Sequence, residues 1–291
     1  MNLNIFVSNM CFVYCVGCYS YSREEKCNKI LETNQIVDFL KYAYTKGIKK
    51  VTLCGGDPLA REDIISLIKK IKEIGLVVSI DTLGTPLIRD TKVGKNVVSK
   101  INVKEIAELV DYIGIPIDGS NNEIIKQFRP SNRDIFQEQI QICKALIDNN
   151  ANVCINTVAY KGNLGDAKEL ANIINMIGNI SKWQIFQYAP IGKYGLKNRN
   201  MFEISEEQFE DFQNDILSVY NIPEKVDFKK SKNRVNHYLL IDNSGNAWVP
   251  EFEKTVSCSS CNLSTSRLII GNICNIEERE NICEYVKKFK K

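Results

Sequence analysis

Cys11, Cys15 and Cys18 lie in the segment Cys-Phe-Val-Tyr-Cys-Val-Gly-Cys, directly after an apolar run. Thiolates at C-x3-C-x2-C spacing supply three ligands to one iron–sulfur cluster. A fourth cysteine would close such a cluster for electron transfer, whereas three leave one iron open to the nitrogen and oxygen atoms of a substrate or cofactor. A second segment suited to ligand binding is Cys54-Gly55-Gly56-Asp57-Pro58, which follows the apolar residues 51–53. Paired glycines let a ligand approach the backbone where a Cβ would collide. The aspartate offers an anionic acceptor for a cationic amine. A tight turn is the alternative reading of the same residues.

Together the two motifs resemble the radical S-adenosylmethionine (radical SAM) superfamily, most closely its viperin-like branch. The resemblance implies a 4Fe-4S cluster on Cys11, Cys15 and Cys18. Gly55, Gly56, Asp57 and Pro58 correspond to the family's Gly-Gly-Glu-Pro element around the methionine ammonium of SAM, with Asp57 standing for Glu. Thr82, in Asp81-Thr82-Leu83-Gly84, corresponds to a hydroxyl that bonds the ribose, although Leu83 replaces the usual Asn. Asp118 and Arg129 occupy the region of an Arg that clamps the SAM carboxylate, with Arg133 close by, and Asn156 and Gln187 fall on strands that would face the same cavity. Tyr19 and Phe12 would pack near adenine. Gly17 stands where the family often has an aromatic residue. Cys154 and Gln184 stand where viperin-like members place nucleotide-binding lysines, so a triphosphate loses two cations. The segment holding Arg89, Lys92, Lys95 and Lys100 could compensate, and reads otherwise as a solvated loop.

Near the C-terminus, Cys258, Cys261 and Cys274 resemble the auxiliary-cluster spacing of the GTP-cyclising molybdenum-cofactor enzyme, and Gly271-Asn272-Ile273 resembles an element of SPASM or twitch extensions. They imply a second iron–sulfur cluster; zinc binding or no metal role are the alternatives. Cys27, Cys54, Cys143, Cys154 and Cys283 read as buried small residues. The one histidine, His237, reads as structural.

The chain must also position these residues. Its 291 residues, 44% of them hydrophobic, fill one large core with an appendage. With 38 basic and 35 acidic side chains the net charge is +3, which gives no broad field for nucleic acid or membrane. No apolar run reaches the roughly 20 residues of a membrane span, and the first residues lack the pattern of a secretory signal. Eleven cysteines in a chain of this length fit reduced thiols and metal ligation in the cytoplasm better than a disulfide scaffold. Short apolar runs at 3–8, 51–53, 77–80, 112–117, 152–158 and 183–188 alternate with helical patterns, including Ile36, Phe39, Leu40 and Ala43; Ile64, Ile65, Ile68 and Ile71; and the stretches 136–149 and 167–177. That rhythm predicts an α/β fold, a partial (β/α)6 barrel over residues 1–222. Residues 223–291 form a small C-terminal extension with a hairpin around Asn243-Ser244-Gly245.

The family resemblance implies reductive cleavage of SAM to methionine and a 5'-deoxyadenosyl radical, which takes hydrogen from a small-molecule or nucleotide substrate. It also implies an electron donor such as flavodoxin or ferredoxin. A peptide-modifying maturase and a non-catalytic iron–sulfur or zinc protein are the alternatives.

Overall fold

The computed structural model describes residues 2–20, 30–234, 239–250 and 267–288. Its framework is a ten-stranded sheet. The strands are β1 (Asn2–Ser8), β2 (Lys50–Gly55), β3 (Val77–Asp81), β6 (Tyr112–Pro116), β7 (Val153–Ala159), β8 (Lys182–Gln187) and β9 (Val226–Lys229), with β10 (Leu240–Ile241), β11 (Asn246–Pro250) and β12 (Arg267–Asn272) beyond β1. A separate hairpin comprises β4 (Thr91–Val93) and β5 (Asn96–Val98). The order is β12-β11-β10-β1-β2-β3-β6-β7-β8-β9, with parallel pairing from β10 through β9 and antiparallel pairing only at β11 and β12. This is the α/β partial barrel that the rhythm predicts. Consecutive parallel strands need helical crossovers. They are α1 (Thr33–Thr45), α2 (Ile64–Glu73), α3 (Val103–Leu109), α4 (Asn122–Phe128), α5 (Ile135–Asp148) and α6 (Ala167–Ile177).

Residue alternation along the strands separates core from cavity. Ile113, Ile115, Ile155, Trp183 and Ile185 point outward and are fully buried with the helices. Their neighbours Gly114, Pro116, Asn156, Val158 and Phe186 line the inner hollow. On α1 the buried face is Ile36, Phe39, Leu40 and Ala43, as the spacing requires, with Val37 beside it. On α2 Leu67 takes the buried place expected for Ile65, because the helix starts at Ile64 and turns 67, 68 and 71 onto the sheet. Polar caps start the helices: the Asn102, Asn121 and Asp134 side chains accept from Lys104, Ile124 and Gln137 amides, and Ser205 with Gln208 forms a capping box at α9 (Glu206–Leu217), which follows the short helices α7 (Gly192–Lys197) and α8 (Arg199–Phe202).

Two departures from the sequence reading are physical. The basic segment expected as a loop folds into the β4–β5 hairpin, which turns at Gly94. The expected hairpin near the C-terminus is present: Leu240–Ile241 pairs with Asn246–Pro250, and the Asp242 carboxylate accepts from the Ser244 and Asn246 amides to set the turn. Gly271, Asn272 and Ile273 serve that same corner. The Asn272 amide bonds Ser244 O and Asn246 Oδ1, the Ile273 amide bonds Gly245 O, and α10 (Arg279–Lys288) packs against β12. His237, Cys27, Cys258 and Cys261 lie outside the described residues; Cys274 is exposed and receives a bond from Gln35 Nε2. No helix of the described residues is long and apolar enough to cross a membrane.

Trp183 ties β8 to β7 and to the residue that follows β6: its indole N–H donates to Thr157 Oγ1 at 2.9 Å, that hydroxyl donates to Ile117 O at 2.6 Å, and the ring meets Tyr220 edge-on at 5.1 Å. Trp183→Ala should therefore cost about 3–5 kcal/mol in urea unfolding. A loss below about 1 kcal/mol would show that this side of the barrel does not depend on it.

Candidate active site

Loops leaving the carboxyl ends of the strands meet over a cavity of about 290 Å³. Its wall includes Cys11, Cys15 and Cys18 after β1, Gly55 at the end of β2 with Gly56 and Asp57 after it, Asp81 and Thr82 at β3, Arg129 after α4, and Asn156 on β7. Pro58 is buried just outside it, and Asp118 stands behind Arg129.

The cysteine loop is pinned from several sides. The Val16 amide donates to Phe128 O at 2.9 Å, Asn198 Nδ2 donates to Val16 O at 2.9 Å, and Arg133 Nη2 donates to Phe12 O at 3.2 Å. Phe12 itself packs on the core. Tyr19 lines the cavity with its ring edge-on to Phe6. A Cβ on Gly17 would sit 2.4 Å from the Phe128 ring and 2.9 Å from the Tyr188 ring. The space beside Gly17 is filled by the cluster of Phe128, Tyr160, Tyr188 and Phe202.

Gly56 fits where no other residue does. A Cβ there would lie 2.1 Å from Met10 O, because the Gly56 amide bonds Ser8 O at 2.7 Å and the Asp57 amide bonds Met10 O at 2.6 Å. Gly55 adds a φ of +124°, a region that L side chains rarely adopt. These bonds stitch the β2 loop to the cysteine loop. The Asp57 carboxylate then stitches it to the β3 loop: Oδ1 accepts from Leu59 N at 3.0 Å and Thr82 Oγ1 at 2.6 Å, and Oδ2 accepts from Leu83 N at 2.7 Å. Burial pushes this carboxyl up to about 6, against the pull of those three donors. Asp57 thus accepts three bonds from the protein and braces two loops, and one acceptor position on Oδ2 remains for the amine that the sequence suggested. Thr82 likewise donates its proton to Asp57 and accepts from the Gly84 amide, leaving acceptor capacity only.

Arg129, rather than Arg133, enters the cavity. Its Nε donates to Asp118 Oδ2 at 2.5 Å and its Nη1 reaches Cys15 Sγ at 3.1 Å. Asp118 is fully buried and also accepts from the Val158 amide at 2.8 Å. Burial works against the guanidinium, but the charges of Asp118 and Cys15 more than offset it and hold its pKa above the ordinary value. Burial also pushes the Cys11 thiol up to about 12, with the charges of Asp57 and Cys15 adding to the effect. A metal takes that proton off when it binds.

Across the cavity floor, Asn156 Nδ2 donates to Asp81 Oδ1 at 3.0 Å and Gln184 Nε2 donates to Asn156 Oδ1 at 3.0 Å. The first of these bonds crosses β6, which lies between β3 and β7, through the space left by Gly114. A Cβ there would be 2.2 Å from Asp81 Oδ1. Sequence reasoning missed Asp81; its signal was a carboxylate at a strand end with a glycine at the paired position of the next strand. Gln187 is among the residues lining the cavity, and its side chain donates to Ile204 O and Ser205 O and accepts from the Ser231 amide. The supposed compensating cations stay outside the cavity wall, with Arg89 paired to Glu138. A different lysine, Lys182, lies in register with Cys154 and pairs with Asp227.

The residues fit a cluster with an open iron. Three thiols, a glycine cradle and a guanidinium share one wall, whereas no three His, Cys, Asp or Glu side chains of the described residues converge to hold a single ion. A 4Fe-4S cluster has no such requirement, because each thiolate binds a different iron.

Asp81 is open to the cavity although it lies inside the barrel, and desolvation pushes its carboxyl up to about 6, against the Asn156 donor and the Lys50 charge. The folded pKa exceeds the unfolded value, so this group's contribution to stability is complete below about pH 4 and is lost as pH rises through about 6. In metal-free protein, Asp81→Asn should therefore reduce the fall in urea midpoint between about pH 5 and about pH 7.5. An unchanged or steeper fall would contradict the desolvated carboxylate.

A family model described as the Radical SAM superfamily matches residues 5–174. An S-adenosylmethionine-dependent nucleotide dehydratase of Flammeovirga pacifica is 23% identical over 251 residues, covering 84% of this chain and 80% of the relative. A probable GTP 3',8-cyclase of Methanococcus aeolicus is 22% identical over 268 residues, covering 89% and 80%. Among solved structures, Streptococcus suis SuiB bound to S-adenosylmethionine superposes with a TM-score of 0.66 at 13% identity, over 92% of this chain and 62% of that one. Native anSMEcpe with bound AdoMet gives 0.64 at 14% identity, over 100% and 84%. These structures share the fold. The family match spans more than half of the chain, which belongs to the radical SAM superfamily and is an enzyme of it.

Proposed function

We propose that Cys11, Cys15 and Cys18 hold a 4Fe-4S cluster at which the enzyme cleaves SAM and starts radical chemistry on a small-molecule or nucleotide substrate. The observation that carries this reading is that the three thiols, the Gly55–Gly56 cradle and Arg129 share one cavity wall. When bound and reduced, the cluster supplies the electron that breaks the SAM carbon–sulfur bond, giving methionine and a 5'-deoxyadenosyl radical that removes hydrogen from the substrate.

The chain's own residues do the rest. Gly55 and Gly56 leave room for the methionine part of SAM to lie against the backbone, and Pro58 fixes the turn that follows. Asp57 keeps the two loops in register through Thr82, Leu83 and Leu59. Thr82 offers acceptor capacity to a ribose hydroxyl. Arg129 offers a guanidinium to the SAM carboxylate while Asp118 holds it in place, a fork that Lys could not reproduce. Asn156, on the same cavity wall, is kept with the cofactor-binding residues. The aromatic cluster behind Gly17 keeps water from the thiols.

Relatives named for nucleotide chemistry, matched over most of both chains, support the small-molecule or nucleotide reading over the peptide one. Gly271-Asn272-Ile273 has a packing role at the β10–β12 corner, so it does not favour a peptide maturase. We take residues 1–222 as the catalytic core and 223–291 as the extension, and keep Cys258, Cys261 and Cys274 as candidate ligands of a second cluster. A flavodoxin or ferredoxin is the proposed electron donor.

Anaerobically reconstituted protein given dithionite and SAM should form 5'-deoxyadenosine, and Cys15→Ala should abolish it. Iron content near four per chain would fit one cluster and near eight would fit two. Unchanged turnover in Cys15→Ala would overturn the assignment.

A further inference from the structure

The cavity wall carries three charged side chains near its floor and cysteine loop, and two of them are committed to the protein: Asp57 to three donors, Arg129 to Asp118 and Cys15. Asp81 is different. It accepts one hydrogen bond, from Asn156, and stays open to the cavity. A carboxylate has about four acceptor positions. One on Oδ1 and those on Oδ2 therefore remain for a ligand. The titratable groups that act on it are Lys50 and Cys54 on β2 and Cys154 on β7; no Lys50 nitrogen comes within ion-pair distance, and Lys50 rests over the Tyr112 ring at 4.7 Å. Three features keep the carboxylate aimed inward: the Asn156 donor, the Gln184 amide that orients Asn156, and the missing side chain at Gly114.

We propose that Asp81 is a specificity-determining residue that reads a pair of N–H donors on the substrate, the fork presented by a guanidinium group or by the N1 and N2 edge of guanine. A carboxylate meets such a fork with two charge-assisted bonds. The same wall repels a phosphate group, since it offers a carboxylate where a triphosphate needs uncommitted cations. The substrate therefore enters with its nitrogen-rich end on the floor and any anionic end toward the mouth. This inference rests on the reading of the cavity as the radical SAM reaction site.

The test uses reconstituted full chain with SAM present, titrated calorimetrically with guanosine, agmatine and inorganic triphosphate. Guanosine or agmatine should bind, and which one does identifies the source of the fork. Asp81→Asn should weaken that binding by at least about tenfold, because an amide repels one of the two N–H groups. The affinity for SAM should stay within about twofold in the same variant, which also shows that it is folded. Binding by neither fork probe, equal binding by Asp81→Asn, or tight binding of triphosphate alone would overturn the proposal. So would a parallel loss of SAM affinity, which would put Asp81 in the cofactor site. Wild-type protein that fails to bind SAM fails at the earlier reading, and this one falls with it.

Discussion

The ion pair between Asp118 and Arg129 is the constraint on which the rest of the site depends. Asp118 is fully sealed from water and Arg129 nearly so, and removing one partner of such a pair typically costs about 3–5 kcal/mol because the other is left charged and buried. The cost is a reason for the pair to hold its geometry. Asp118 is anchored to β7 through the Val158 amide, so the strand dictates where the guanidinium points, and it points at Cys15. A guanidinium there sets a positive charge beside the Cys15 sulfur. Sheet register is thereby converted into the electrostatics of the cysteine loop.

The other strand ends are joined by the same device, a carboxylate shared between loops. Asp57 joins the β2 and β3 loops, and Asp81 joins β3 to β7 over Gly114. Desolvation raises both carboxyls to about 6, Asp57 sealed within the protein and Asp81 inside the barrel but open to the cavity. Stability alone would favour apolar replacements. Such replacements would leave the loops unjoined and the cavity floor without a directed acceptor. Asp57 has most of its acceptor positions taken by its joints, whereas Asp81 has most of them to spare, and this difference of degree separates a brace from a residue able to choose a ligand.

Much of this was legible in the amino-acid order. The thiol spacing, the paired glycines and the alternation of apolar runs with helical faces led to the cavity wall and to six parallel strands in register, because periodicity and ligand spacing are local properties of sequence. What was not legible depended on pairs far apart in the chain. Asp81 and Asn156 are 75 residues apart, and only the placement of β6 between their strands brings Gly114 beneath the bond. The role of Asp57 was read from its loop alone, without the Thr82 and Leu83 donors. The segment around Lys92 and Lys95 is solvated as its composition indicated, but it is a hairpin and not a loop, because two three-residue strands need only a glycine turn to pair. Gly271-Asn272-Ile273 suggested a functional motif, where the corner it holds gives it a packing role.

The most direct test of the central claim is the electron paramagnetic resonance spectrum of the dithionite-reduced, reconstituted protein with and without SAM. An iron left open by three thiolates must change its coordination when SAM binds, so the reduced-cluster signal should shift on addition of SAM. Replacing any one of Cys11, Cys15 and Cys18 by Ala should remove that SAM-responsive signal. A wild-type signal that is identical with and without SAM would contradict the account.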